Sequence, residues 1–405
     1  MSRGAQPRDT LDRLGADLDP RDRALATELA YGATRWLLRL DFELGSRLRQ
    51  PLHRLPLPIQ NILRLGLYQL RFTDRIPPYA AVAEAVAQAR HHGHQGTAGL
   101  VNAVLRRAAA EPAPAAPDLA TEYSHPRWLV ERWLARLGRE ETEALLTADN
   151  QSPRVVLRAN RLRTTVDGLI ATLAEAGVAA VPGRHAPEAL VLDRAAVPDL
   201  AALANGLCTV QDEASMLAAR ILAPQPGWTC LDLAAAPGGK ATHLAELMRD
   251  EGIVLANDLE PARAKLVQAA ARRLGLKSVR VRAADARTLP KNWGGRCDAV
   301  LADVPCSGLG TLARRPDLRW QKTETDLRTL PPLQAQLLEA GAACVRPGGR
   351  LVYSTCSTEP EENEDVVDTF LRGHPEFAAD GEAIRLWPQR DACDGFFIAP
   401  MKRLH

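Results

Sequence analysis

The sequence predicts an α/β protein in three parts: an all-helical N-terminal domain, a small α/β module, and a C-terminal domain on a doubly wound parallel sheet. Three observations carry this prediction. Apolar residues at helical spacing run through the first 112 residues. A proline-rich stretch, Glu111-Pro112-Ala113-Pro114-Ala115-Ala116-Pro117, then breaks the pattern. From Trp228 onward, short apolar runs alternate with helix-length segments, the signature of repeated βαβ units. The expected boundaries are 1–117, 118–215 and 216–405.

In the first part, the segments Asp22–Tyr31 and Pro58–Phe72 have helical periodicity, and Ile76-Pro77-Pro78-Tyr79 and Gly93–Gly99 are breaks between helices. In the second, Pro126–Leu137, Glu140–Thr147 and Thr165–Ala176 read as helices, with Arg154–Arg158 and Ala189–Leu192 extended. In the third, strands are expected at Cys230–Leu233, Ile253–Ala256, Val279–Arg282, Ala299–Ala302 and Arg350–Tyr353, with Gly395–Ala399 completing the sheet. Helices are expected between them at Ala241–Arg249, Pro261–Leu274 and Leu333–Val345.

Composition narrows the function. The chain has 405 residues, 46% hydrophobic and 25% charged, as in an ordinary globular protein. No apolar run is long enough to span a membrane, and the charged N-terminus lacks a signal-peptide core, so a cytoplasmic location is expected. The 7 cysteines are scattered without a Cys-x-x-Cys pair, which argues against a disulfide framework or a metal site. The net charge of +2 hides an uneven distribution. Between Arg35 and Arg107 stand 11 arginines against 4 acidic residues, with His91, His92 and His94 beside them. Such an excess suits a phosphate backbone. Lysine is absent until Lys240, inside a glycine-rich turn.

That turn, Ala234-Ala235-Ala236-Pro237-Gly238-Gly239-Lys240, follows the first strand of the third part and opens a helix. Small residues and glycines there let a ligand approach the backbone. The turn matches neither Gly-x-Gly-x-x-Gly nor a Walker loop. Asp258 ends the second strand, where it could bind ribose hydroxyls, and Asp285 follows the third, placed to meet an adenine amino group. A glycine turn with two strand-end acids suits an adenosyl ligand without pyrophosphate, and S-adenosylmethionine is the simplest candidate.

Two further strand ends carry cysteines: Asp303-Val304-Pro305-Cys306 and Ser354-Thr355-Cys356-Ser357. A nucleophile and a second acid or base at neighbouring strand ends suit covalent attack on a pyrimidine. A thiolate adding to carbon 6 of cytosine makes carbon 5 nucleophilic, a group near nitrogen 3 stabilises the charge, and the carbon-5 proton must then leave. Cys356, Cys306 and Asp303 can fill these roles, and spacing alone leaves the order of the two thiols open.

These motifs, with Pro360-Glu361-Glu362-Asn363-Glu364, resemble those of the RNA cytosine-5 methyltransferases. Leu63–Leu70, Ala81–Val86 and Gly99–Arg107 resemble the NusB-like RNA-binding module, a combination found in the small-subunit methyltransferase B (Sun/Fmu) type. The resemblance implies a Rossmann-like methyltransferase domain behind a NusB-like domain, with S-adenosylmethionine as cofactor and 16S rRNA as partner. It also implies attack by Cys356 and release aided by Cys306; Asp303 is then expected to support nitrogen 3, and Lys240 to contact the bound base or orient the reacting groups. Residues 234–240, Asp258, Asp285 and Asp303 would line the cofactor side, no metal is needed, and a monomer is expected. The family often has cysteine where this chain has Ala234, a position outside the chemistry. A tRNA cytosine-5 methyltransferase and a non-catalytic ribosome-assembly factor are the alternatives.

Overall fold

The computed structural model describes residues 7–15, 17–193, 200–289 and 293–404. The first six residues of the charged N-terminal stretch lie outside them. The chain divides into two compact units, residues 1–150 with 315–321, and residues 151–314 with 322–405.

The first unit is helical. Its main helices are Pro20–Arg35, Leu37–Gly45, Leu57–Phe72, Pro78–His92 and Gln95–Ala110, followed by Arg127–Leu137 and Arg139–Asn150. Asp19 caps the first of these by accepting from the backbone N–H groups of Arg21 and Asp22. Leu40, Leu44, Ile59, Leu63, Leu67, Val101 and Leu105 form one core among the helices. Gly32 is required by packing, since a Cβ there would lie 2.0 Å from the Tyr68 ring. Residues 315–321 complete this unit. Arg319 is fully buried and donates to the carbonyls of Ser124 and Asp149, both at 3.1 Å, to the Arg35 carbonyl at 3.3 Å and to Asn150 Oδ1 at 2.9 Å. Trp320 Nε1 donates to the Thr34 carbonyl at 2.7 Å.

The local basic excess is partly consumed within the fold. Arg47 and Arg71 pair with the buried Glu43, and Arg64 pairs with Asp41. Arg49, Arg54, Arg75, Arg90, Arg106 and Arg107 are exposed.

The second unit holds two sheets. The smaller comprises β1 (Val156–Ala159), β2 (Ala180–Pro182), β3 (Ala189–Leu192) and β4 (Cys208–Val210), all antiparallel in the order β2-β3-β1-β4. The larger comprises β5 (Thr229–Asp232), β6 (Ile253–Asp258), β7 (Val279–Ala283), β8 (Cys297–Asp303), β9 (Val345–Thr355), β10 (Phe377–Ala379), β11 (Ile384–Leu386) and β12 (Phe396–Arg403). Its order is β10-β12-β9-β8-β5-β6-β7, with β11 also on β12. The five strands from β5 to β9 are parallel, as expected. The last strand is antiparallel to β9. It also pairs antiparallel with β11, from which residues 387–395 make too short a connection for a parallel crossover. The helix expected from Leu333 begins earlier, at Asp326, and carries Pro331 and Pro332 inside it.

Because β5 leads to β6 on one side while β8 is its neighbour on the other, the sheet reverses direction of winding between β5 and β8. Ligands bind outside the carboxyl ends of strands at such a reversal. The glycine turn and Asp303 both lie there.

Candidate active site

The thiols are brought together by the sheet. β8 and β9 pair in parallel register with Asp303 opposite Ser354, so the loops that follow start side by side. Cys306 Sγ and Cys356 Sγ are 3.3 Å apart, and both side chains are half-buried. The hydrogen bond to Cys356 pushes the Cys306 thiol well above its usual range, and burial and the Glu362 charge push the same way. These influences favour the protonated form of Cys306, and either sulfur can donate in the contact between them. Cys230, Cys297, Cys344 and Cys208 are buried elsewhere.

Lys240 Nζ donates to Asp303 Oδ2 at 2.8 Å, while Ser354 Oγ donates to Asp303 Oδ1 at 2.8 Å. The ammonium also lies 5.1 Å from the centre of the Phe396 ring. Burial works against the Lys240 charge, but Asp303 outweighs it, helped by Cys356 and Asp232, and the net effect raises its pKa. Lys240 thus stays charged between Asp303 and the Cys356 side of the thiol pair. The structure brings Lys240, Asp303, Cys306 and Cys356 into one cluster.

On the other side of the reversal, Gly238 adopts φ 110°, the left-handed region where a side chain would be strained, and a Cβ there would also come within 3.1 Å of Val267 Cα. Asn257 ties the turn to its neighbours, donating from Nδ2 to the carbonyls of Leu233 at 3.1 Å and Ala284 at 3.0 Å. Asp258 is buried and accepts from the backbone N–H of Ala236 and of Glu260, both at 3.1 Å. Asp285 is half-exposed, caps the short turn Ala286–Thr288 and pairs with Arg287 at 2.6 Å. Asp232, missed by sequence reasoning, ends β5 just before the turn. Neither of its oxygens receives a hydrogen bond of standard geometry among the described residues. Burial raises its pKa to about 7, with the Asp303 charge adding to that and Lys240 opposing it.

The comparisons with known proteins cover nearly all of the chain. Residues 219–402 match the family described as 16S rRNA methyltransferase RsmB/F, residues 3–110 the NusB family, and residues 125–198 a ferredoxin-like domain of RsmF/B-like methyltransferases. The "Probable ribosomal RNA small subunit methyltransferase B" of Bacillus subtilis (strain 168) is 37% identical, over 96% of this chain and 92% of the relative. The "Ribosomal RNA small subunit methyltransferase B" of Salmonella paratyphi C (strain RKS4594) is 36% identical, over 99% and 95%. The crystal structure of PH0851 superposes with a TM-score of 0.85 at 31% identity, covering 98% of this chain and 93% of that one.

The chain belongs to the RsmB/F rRNA methyltransferase family. Its cofactor is S-adenosylmethionine, and the residues present suit one. The turn carries no phosphate-binding fingerprint, and the buried carboxylate of Asp232 suits a cationic group better than a phosphate.

In this methyltransferase the helix that opens after the turn, Gly239–Leu247, is anchored from the smaller sheet. Arg158 on β1 is fully buried and donates to both oxygens of Glu246, at 2.8 and 3.1 Å. It also donates to Thr242 Oγ1 at 2.9 Å, to the Gly239 carbonyl at 2.6 Å and to Gln211 Oε1. Sequence reasoning missed this anchor, because Arg158 and Glu246 are 88 residues apart and neither belongs to a motif.

Proposed function

We propose that the chain methylates carbon 5 of one cytosine in 16S rRNA through a covalent adduct with Cys356. The observation that carries this reading is the convergence of the two thiols, 3.3 Å apart, with the Lys240–Asp303 pair beside Cys356. S-adenosylmethionine supplies the electrophilic methyl group. Residues 234–240, Asp232, Asp258, Asp285 and Asp303 would hold it.

Cys356 attacks carbon 6 as the thiolate, and its sulfur–carbon bond converts the ring into a nucleophile at carbon 5. Asp303, kept in place by Lys240 and Ser354, supports the proton or hydrogen bond at ring nitrogen 3. After the new carbon–carbon bond has formed, the carbon-5 proton leaves, the electrons return to the ring and the bond to Cys356 breaks. Cys306, 3.3 Å from Cys356, would release its own proton to solvent while Cys356 is bonded to the ring and then accept the carbon-5 proton as the thiolate. The exposed arginines of the helical unit would grip the RNA backbone. The chain is read as a cytoplasmic monomer, a reading that rests on its rRNA substrate. Among the described residues no helix is long and apolar enough to cross a membrane.

Incubation with labelled cofactor and 16S rRNA, 30S subunits or tRNA tests the substrate. Label in the ribosomal RNA alone is expected. Label in tRNA alone would favour the tRNA enzyme, and no label in any of them would favour an assembly factor. Cys306→Ala is expected to accumulate a protein–RNA adduct, and Cys356→Ala to lose both adduct and turnover. An adduct that persists without Cys356 would sink the assignment.

A further inference from the structure

Glu362 is fully buried behind the two thiols, in the turn Pro360–Glu362. Its Oε1 accepts from the backbone N–H of Ser307 at 2.7 Å and from Gln334 Nε2 at 3.0 Å. Its Oε2 accepts from Ser307 Oγ and from Ser357 Oγ, both at 2.5 Å. Ser307 directly follows Cys306 and Ser357 directly follows Cys356, and the two hydroxyl oxygens lie 3.1 Å apart. One carboxylate therefore binds both thiol loops through neutral donors. Its own backbone is held as well, since the Tyr353 hydroxyl donates to the Glu362 carbonyl at 2.5 Å. The next residue, Asn363, donates to the Ser357 carbonyl at 3.0 Å and accepts from Thr355 Oγ1 at 2.5 Å.

The charges around the thiols are unevenly shared. Facing Cys306 are Cys356 from β9 and Glu362 from its turn, with the phenol of Tyr353 from β9. The helix Asp326–Cys344 contributes neutral Gln334, which also holds the Pro305 carbonyl at 3.0 Å. Lys240 from the glycine turn interacts with Cys356 and is bonded to Asp303 of β8. The buried Glu362 charge beside Cys306 favours the protonated form of that thiol.

We propose that Glu362 is a positioning residue that clasps the two cysteine loops together and, by its charge, keeps the proton on Cys306 so that Cys356 is the nucleophile. The proposal rests on the reading of Cys356 as the attacking thiol. It goes further by naming what separates two otherwise equivalent cysteines. Glu362 acts on the substrate only through them.

The test is alkylation of the full-length protein by iodoacetamide over roughly pH 6 to 10, with mass spectrometry reading each cysteine. In the wild-type protein Cys356 is expected to label ahead of Cys306. In folded Glu362→Gln the Cys306 midpoint is expected to fall by about one pH unit, which raises its labelling at neutral pH about tenfold. An unchanged Cys306 profile in that variant overturns the proposal. The double variant Ser307→Ala/Ser357→Ala keeps the charge but opens the clasp. It is expected to leave the Cys306 midpoint in place and slow methyl transfer at least about tenfold, against about 1.4 kcal/mol per tenfold. Full activity of the folded double variant overturns the clasp, and failure of both variants to fold reduces Glu362 to a stability determinant and overturns it too. Labelling needs no RNA. A wild-type order with Cys306 first would therefore strike at the nucleophile assignment, while the change caused by Glu362→Gln judges the clasp.

Discussion

Each unit hides one fully buried arginine, and the two are satisfied differently. Arg158, in the catalytic unit, faces a carboxylate and forms a two-pronged pair with Glu246. Arg319, in the helical unit, donates to three main-chain carbonyls and one side-chain amide oxygen. Burial accordingly lowers the Arg319 pKa to about 9, although the charge of Asp149 opposes that. Removing Arg158 strands the carboxylate to which it is bonded, whereas removing Arg319 strands the neutral oxygens to which it is bonded and takes a positive charge from the vicinity of Asp149. The catalytic unit has placed its costlier device at the glycine turn, where the reaction needs rigidity.

The largest effect is expected from Arg158→Met. Leaving Glu246 buried and unpaired should lower stability by about 3–5 kcal/mol, read by chemical denaturation. Adding Glu246→Met should restore most of that stability without restoring cofactor affinity, because the Gly239 carbonyl has still lost its donor. Full cofactor affinity in the folded double variant would reduce the network to a plain stability device. Arg319→Met should cost less, about 1–3 kcal/mol in all where water enters and reaches most of the stranded oxygens, and leave cofactor affinity in the isolated protein unaltered. A loss as large as that of Arg158→Met would erase the proposed distinction.

Asp232 extends the comparison to a buried acid that no arginine clamps. Its folded-state pKa, raised to about 7 mainly by burial, exceeds its ordinary value, so the folded protein binds a proton there that the unfolded chain has lost. The stability that this group gives the cofactor-free protein is therefore present at low pH and lost as pH rises toward 7. Cofactor affinity should move oppositely, strengthening over the same interval as Asp232 ionises, and calorimetric titration of Asp232→Asn should show a flatter profile. The smallest effect is expected at the surface. Arg90→Ala or Arg106→Ala should each reduce the salt dependence of RNA binding by about one counterion, with stability unchanged.

The strand ends were legible because each falls at the close of a short apolar run followed by a turn, and Cys306, Cys356, Asp303 and the glycine turn all occupy such ends. Their convergence needed only the right winding of a parallel sheet. The sequence-distant partners of Arg158, Arg319 and Glu362 left no periodic signal, since a single polar residue in an apolar context looks the same whatever it meets. The basic stretch was legible in sign but not in use. Arg47, Arg64 and Arg71 are paired inside the helical unit, and only the structure separates them from the exposed arginines. Pro331 and Pro332 misled the reading of their helix, because proline normally ends one.

The place of Arg319 also bears on how the chain matures during synthesis. Asn150, at the end of the last N-terminal helix, leaves the ribosome 169 residues before the arginine that it binds. Domains ordinarily fold as they emerge, the N-terminal one first. Here the helical unit must wait with the Ser124 and Asp149 carbonyls unsealed until β8 and the Cys306 loop that follows it have been made. A fragment ending at residue 150 is an unfinished object, and the first unit becomes mature only when the second is largely translated.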